Sequence, residues 1–175
     1  AQASGDSIVA VRGAEVFGPA AGRETTDRTG LFRMGSVTAE STFILDTFAS
    51  QSWSTRQIAS GHLKLRTPIF PDRMMDSFFG LIKESAGSYD GGVVWGQVTQ
   101  GGRPMSGIAV GISTPNAVGP IYFNSSKIPD LSLKATSENG MYAFVKVIPG
   151  LHIVFASQGK TELPSTVVNT AAHAV

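Results

Sequence analysis

One phrase occurs twice in this chain, first as Thr26-Asp27-Arg28-Thr29-Gly30-Leu31-Phe32-Arg33-Met34 and again as Thr136-Ser137-Glu138-Asn139-Gly140-Met141-Tyr142-Ala143-Phe144. Each copy is a polar turn closed by glycine, followed by residues of which every second one is large and apolar. That is the pattern of a strand leaving a tight turn with one face buried. Two such units, with their glycines 110 positions apart, confine the chain to β-structure built in two related halves.

Carried outward at the same spacing, Val37 falls on Val147, Phe43 on Ile153 and Leu45 on Phe155. Upstream, Gly13-Ala14-Glu15-Val16 matches Gly107-Ile108-Ala109-Val110 at a spacing of 94, so the second copy holds 16 more residues between this strand and its turn. The extra residues fall in the Pro-rich stretch from Ser113 to Ser132. They are expected to form a surface loop, with at most one irregular strand, and to carry what distinguishes one copy from the other.

The composition agrees with short strands and many turns. Among 175 residues there are 20 Gly and nine Pro, 42% are hydrophobic and 15% charged, enough apolar residues for two thin cores of roughly 85 residues each. A net charge of +1, with Lys and Arg scattered singly, supplies no basic stripe for a phosphate backbone, so nucleic acid is not an expected partner. The absence of Cys removes disulfides, Cys-ligated zinc and a thiol nucleophile. No apolar run approaches the roughly 20 residues that span a bilayer as a helix. The opening at Ala1 rather than Met is compatible with a mature exported protein or an excised piece.

Helical spacing appears once. Met74, Met75, Phe78, Phe79, Leu81 and Ile82 recur behind Pro71-Asp72 and predict a helix from Asp72 to Lys83, with Asp72 as its cap and its apolar face packed between the two units. Strands are expected from Ser7 to Val16, Ser41 to Phe48, His62 to Arg66, Val93 to Val98 and Gly107 to Ile112, whereas Gln51 to Ser60 is polar apart from Trp53 and Ile58. The expected division is a divergent β-unit over residues 1–70, a linker with a short amphipathic helix over 71–90, and a second β-unit over 91–175.

The second half carries Gly96-Gln97-Val98, Gly102-Arg103-Pro104, Gly107-Ile108-Ala109-Val110, the turn phrase, and Val147-Ile148-Pro149-Gly150-Leu151-His152-Ile153-Val154. In this it resembles the carboxypeptidase regulatory-like domain over about residues 91–160. The resemblance implies an all-β, transthyretin-like or immunoglobulin-like Greek-key β-sandwich, and with the first half two such sandwiches in tandem joined by a short helix. It implies a module of exported and surface systems with no catalytic residues to carry over. The first half matches more loosely, since Ser36 to Glu40 lacks the Pro149-Gly150 pair and the segment before Gly13 is short for an opening hairpin.

Candidate chemistry is sparse. His62, His152 and His173 lie in no metal-ligand spacing, the carboxylates are isolated, and no Gly-x-Ser-x-Gly elbow marks a nucleophile. Asp27, Gly30, Glu138, Asn139 and Gly140 are expected to be turn residues. Trp53 among Ser, Thr and Gln, and Tyr122-Phe123-Asn124 in the Pro-rich stretch, are the candidate ligand-binding residues, because exposed aromatic rings flanked by polar groups suit a sugar or a protein. Trp95 is expected in the core.

The expected function is a non-catalytic extracytoplasmic binding or structural module, located in the periplasm, outer membrane or cell surface, that serves adhesion, assembly or substrate presentation. Its expected partner is a protein or a cell-surface glycan, and no metal or cofactor is expected. The alternatives are a carbohydrate-binding accessory module, a soluble terminal region of an outer-membrane pilus-assembly protein, and an enzyme whose site is assembled from distant residues.

Overall fold

The structure, a computed structural model, describes residues 10–18, 22–35, 38, 41–60, 65–84 and 91–175. The expectations for residues 7–9, Val37 and residues 62–64 lie outside these. In chain order the elements are β1 (Glu15–Gly18), β2 (Gly22–Thr25), β3 (Thr42–Phe48), β4 (Ser52–Trp53), β5 (Thr55–Ser60), β6 (Phe70–Pro71), α1 (Asp72–Ile82), β7 (Gly92–Gln97), β8 (Thr99–Gln100) and β9 (Arg103–Pro104). They continue with β10 (Ala109–Ile112), β11 (Val118–Phe123), β12 (Pro129–Asp130), β13 (Met141–Val147), β14 (Gly150–Gln158) and β15 (Thr161–Thr170). The molecule is mostly β with one short helix.

Three sheets carry the architecture, ordered β2-β1-β3-β5, β12-β11-β13-β7 and β10-β14-β15, with small ribbons β4-β6 and β8-β9 beside them. Alternation in β7, β11 and β13, interrupted by irregularities between Val118 and Ile121 and between Phe144 and Val147, sends neighbouring residues to opposite faces of the middle sheet. Val93, Ile121, Phe123, Ala143 and Val145 meet Met75, Phe78, Phe79 and Ile82 of α1 in one core. Val94, Tyr122, Tyr142 and Phe144 face Val110 and Val154 of the β10-β14-β15 sheet in the other. The second half is therefore three layers: helix, sheet, sheet.

The helix matches the expected span except at its cap. Pro71, not Asp72, is the N-cap residue and makes no side-chain cap bond; Asp72 lies in the first turn, where a carboxylate favours the positive end of the helix dipole. Lys83 closes the helix in the left-handed region, its N–H directed to Gly80 O and Phe79 O. The apolar face does pack between elements of both halves, since Phe70 and half-buried Trp53 and Trp95 join the same cluster.

Several strand expectations change. Ala10 to Ala14, and Leu65 with Arg66, belong to no strand. The Pro-rich stretch does hold an irregular strand, its register shifting between Val118 and Ile121, but not at the surface: β11 pairs with β13 at Ile121↔Ala143 and Tyr122↔Tyr142, and Ile121, Tyr122 and Phe123 are buried. The polar segment Gln51 to Ser60 forms β4 and β5, because β6 pairs with β4 and β3 supplies β5 with a six-residue antiparallel register from Thr42↔Ser60 to Thr47↔Thr55. Leu31 to Gly35, expected as a strand by analogy with β13, belongs to no sheet.

The matching of Phe43 with Ile153 and Leu45 with Phe155 is also off by one residue. Val16 pairs with Thr47 in β3 and Val110 pairs with Ala156 in β14, which places Leu45 opposite the role of Val154. Leu45 and Val154 are both buried, whereas Ile153 and Phe155 point outward. A slip of one residue exchanges the faces of a strand, and β14 hid it by being apolar on both.

The two turns nevertheless have the same hydrogen bonds. Thr26 Oγ1 accepts from Ala14 N at 2.9 Å and donates to Val11 O at 2.7 Å; Thr136 Oγ1 accepts from Ile108 N at 3.0 Å and donates to Met105 O at 2.7 Å. Gly30 N reaches Asp27 O and Gly140 N reaches Ser137 O, with φ of 73° and 67°. Only glycine holds that backbone region without strain.

Candidate interaction surface

β14 reads Leu151-His152-Ile153-Val154-Phe155-Ala156, apolar on both faces, which is the pattern of a strand covered on both sides. Its inner face is closed by the middle sheet. There the buried His152 bridges two segments, its Nε2 donating to Ile148 O at 2.7 Å and its Nδ1 contacting the Thr114 hydroxyl. With both ring nitrogens engaged on the inner side of the sheet, His152 is a structural residue.

The outer face is open. Leu151 is 67% exposed, Ile153 49%, Phe155 52% and Val167 52%, and Val167 stands directly across from Ile153 on β15. Phe155 lies opposite Gly111 of β10, and a Cβ at Gly111 would fall 2.2 Å from its ring. The ring therefore lies across a glycine and is held in place while still half in water. A fixed aromatic beside three aliphatic side chains is the arrangement from which binding hot spots are made.

A polar border closes this face toward the first half. Arg56 donates to both Asp46 oxygens, at 2.6 and 2.7 Å, and its Nη1 donates to Asn169 Oδ1 at 3.3 Å. The Asp46 carboxylate raises the Arg56 pKa above its usual value. Asn169 sits across from Leu151, so this fork ties β5 to the rim of the apolar row. The fork and the row share one side of the molecule.

The residues expected to bind ligand lie elsewhere, and two are corrected. Tyr122 and Phe123 are 2% and 1% exposed. The Tyr122 hydroxyl oxygen accepts from Val110 N at 2.9 Å, with burial pushing its pKa up, and the Phe123 ring packs 4.6 Å from Trp95. Neither presents a face to solvent, because both belong to a strand in the middle of two cores. Trp53 is half-buried against Phe79 and His173, with ring centroids 5.5 and 6.0 Å away.

Asn124 is a turn residue. Its Oδ1 accepts from Ser126 N and Ile128 N, and its backbone oxygen accepts from Asn139 Nδ2 at 2.6 Å. Asn139 Oδ1 also accepts from Met141 N, and Asp27 Oδ1 accepts from Thr29 N, Thr29 Oγ1 and Leu31 N. Asp27 thereby has its pKa lowered, chiefly by the Thr29 hydroxyl and then by the two backbone bonds. Glu138 occupies the second turn as an exposed side chain; Asn139 caps the turn, and Ser137 Oγ donates to Phe123 O at the end of β11.

Two clefts complete the surface. One of about 600 Å³ lies between the middle sheet and the β10-β14-β15 sheet, where Val98, Met105, Tyr142 and Leu163 line it and burial raises the Tyr142 pKa. The other, of about 980 Å³, lies against the first sheet between Phe32, Met34, Phe43, Leu45 and Leu65. Among the described residues no group of three or more His, Asp or Glu could hold a metal ion, and no helix is long and apolar enough to cross a membrane.

The outer row was legible in retrospect. Ile153 and Phe155 match apolar Phe43 and Leu45 between the copies, which hides their exposure; the signal for it is His152 and Val154 alternating with Leu151, Ile153 and Phe155 on the inner face. No family model matches the chain, and neither a curated protein nor a solved structure shows significant similarity to it.

Proposed function

We propose that this chain is a non-catalytic extracytoplasmic binding module, made of two related Greek-key β-sandwich units in tandem, that engages a protein partner through the outer face of the β10-β14-β15 sheet. The exposed row of Leu151, Ile153, Phe155 and Val167 carries this reading. Apolar area of this kind costs free energy in water, about 25 cal/mol per Å², and covering it with a partner recovers that cost. The shared hydrogen bonding of the Thr26 and Thr136 turns supports common construction of the two units. The extracytoplasmic placement rests on the resemblance of residues 91–160 to carboxypeptidase regulatory-like domains.

A sugar platform has less support, because Tyr122 and Phe123 are buried and Trp53 is packed on Phe79. The test is site-specific photocrosslinking in cells that produce the protein, with benzoylphenylalanine at Val167 and, as control, at Arg103 on the β8-β9 ribbon. A discrete protein adduct is expected from the first position alone, and Phe155→Ser should remove it while leaving the thermal transition in place. Equal labelling from both positions, or an adduct indifferent to Phe155→Ser, would overturn the proposal.

A further inference from the structure

A different part of the molecule carries a second site, independent of the outer face. The middle sheet and the β10-β14-β15 sheet do not close on each other along their whole length. Phe144 and Val147 are fully buried toward the Gly92 end of β7, whereas the 600 Å³ cleft opens at its Gln97 end, beside the β8-β9 ribbon. One lip of this cleft is formed by a bulge. Val154 pairs with Thr166 and Ala156 with Leu163, so Pro164 and Ser165 of β15 together stand opposite Phe155. A bulge bends the strand that holds it, and Leu163, Pro164 and Thr166 of the bent stretch line the cleft.

On the opposite wall a pair of tyrosines is served unequally. Tyr122 and Tyr142 stand across from each other on β11 and β13. The Tyr122 hydroxyl accepts from Val110 N, but the Tyr142 hydroxyl, on a residue only 6% exposed, has no hydrogen-bond partner among the described residues. Nor is it sealed off as Thr47 Oγ1 and Gln57 Nε2 are, so it opens on the cleft that Tyr142 lines. The ring is held in this pose. It meets Phe144 edge-on with centroids 6.0 Å apart and lies across Gly96, where a Cβ would fall 2.3 Å from the hydroxyl oxygen.

The rest of the lining decides what can enter. Val98, Met105, Val110 and Leu163 make it apolar, and no Asp, Glu, Lys, Arg or His is among the residues that line it. A charged molecule would leave water here without a counter-charge, whereas an uncharged apolar one gains by leaving it. A phenol hydroxyl with no acceptor beside it is answered by an acceptor on the ligand. We infer that this cleft binds a small uncharged molecule, mainly apolar, that bears an ester, amide or ketone carbonyl, and that the carbonyl oxygen accepts from the Tyr142 hydroxyl. Its size falls in the range of small-molecule pockets, which pair apolar walls with a few placed polar groups.

Prodan, a neutral naphthyl ketone whose emission moves to the blue in apolar surroundings, is a suitable probe. Titrated into the intact protein, it should bind saturably at one site per chain. It should shift the methyl resonance of Met105 on the cleft wall and leave that of exposed Met74 in place. Tyr142→Phe, which deletes the hydroxyl alone, should weaken prodan binding about fivefold, the usual contribution of one neutral hydrogen bond. Dimethylaminonaphthalene, the same ring system without the ketone, should bind the parent protein and Tyr142→Phe alike.

Three results overturn the proposal. Absence of saturable binding would assign the cleft to water only. Prodan binding unchanged in Tyr142→Phe, or both dyes weakened equally by it, would show that the hydroxyl gives no hydrogen bond to the ketone. Loss of prodan binding in Phe155→Ser with the Met105 resonance unmoved would put the dye on the outer face, a result that leaves the proposal for that face untouched.

Discussion

The two halves share a turn and differ in what closes over it. Around Thr136 the β10-β14-β15 sheet faces a four-stranded sheet, and two clusters of eight and ten buried residues result. Around Thr26 the equivalent sheet has three fully buried apolar residues, Val16, Leu45 and Ala59. Thr47 Oγ1 and Gln57 Nε2, the buried side-chain polar atoms without a partner among the described residues, both belong to this first sheet. The difference traces to the 16 additional residues of the second half, which become β11 and β12. A well-bonded turn fixes where a sheet starts, but an opposing strand is needed before the face it creates can be buried.

Removing that strand is the largest way to break the contrast. Deletion of Pro115 to Pro129 takes out β11 from between β12 and β13, and should abolish cooperative unfolding of the second half, read by tryptophan fluorescence from Trp95. A retained sharp transition would restore the loop reading of this stretch. Next, Phe123→Ala should cost about 3–5 kcal/mol in urea denaturation, as for a fully buried aromatic, and Phe32→Ala in the open half distinctly less.

The turn glycines sharpen the comparison at a smaller scale. Both sit at positive φ, where an L-residue costs about 1–2 kcal/mol. A Cβ at Gly140 would meet Val98 O at 2.5 Å, whereas at Gly30 it would meet the Ala10 side chain at 3.0 Å. Gly140→Ala should therefore lower Tm more than Gly30→Ala; the reverse order would show that the first turn is the more tightly enclosed.

The smallest effect is that of pH. Asp27 has its folded pKa lowered from the ordinary 3.8, so its contribution is fully present above that value and is lost as pH falls through the lower folded one. In the second half the turn is capped by Asn139, which does not titrate. The first half should accordingly begin to loosen below about pH 4, and Asp27→Asn should blunt the effect, as followed by amide exchange at Thr29 and Leu31.

The turns were legible in the sequence because their chemistry is local: glycine for positive φ, Asp and Asn for backbone N–H groups two and four residues away. The helix was legible from its spacing. β11 was not, since Val118-Gly119-Pro120 reads as loop, and its place in the sheet comes from β13, twenty residues or more distant in the chain. The outward direction of Ile153 and Phe155 was hidden by a strand apolar on both faces. Tyr122 and Phe123 were misplaced for the same reason as β11: a run of aromatics beside Asn and Ser looks the same at the end of a buried strand as on an exposed loop.

Residues 173–175 run beside both halves. Val93 N donates to Ala174 O, while Arg56 N donates to Val175 O, Val175 N to Ser54 O and Ser54 Oγ to His173 O. The Ser54–His173 bond spans 119 positions of chain. On the ribosome, β4 and β5 must wait for those later residues, roughly 6 to 24 s at ordinary elongation rates of about 5–20 residues per second. Pairings so distant in sequence form late also in refolding, because the loop must close before any bond can reward it. For that interval the first sheet is exposed along its β5 edge.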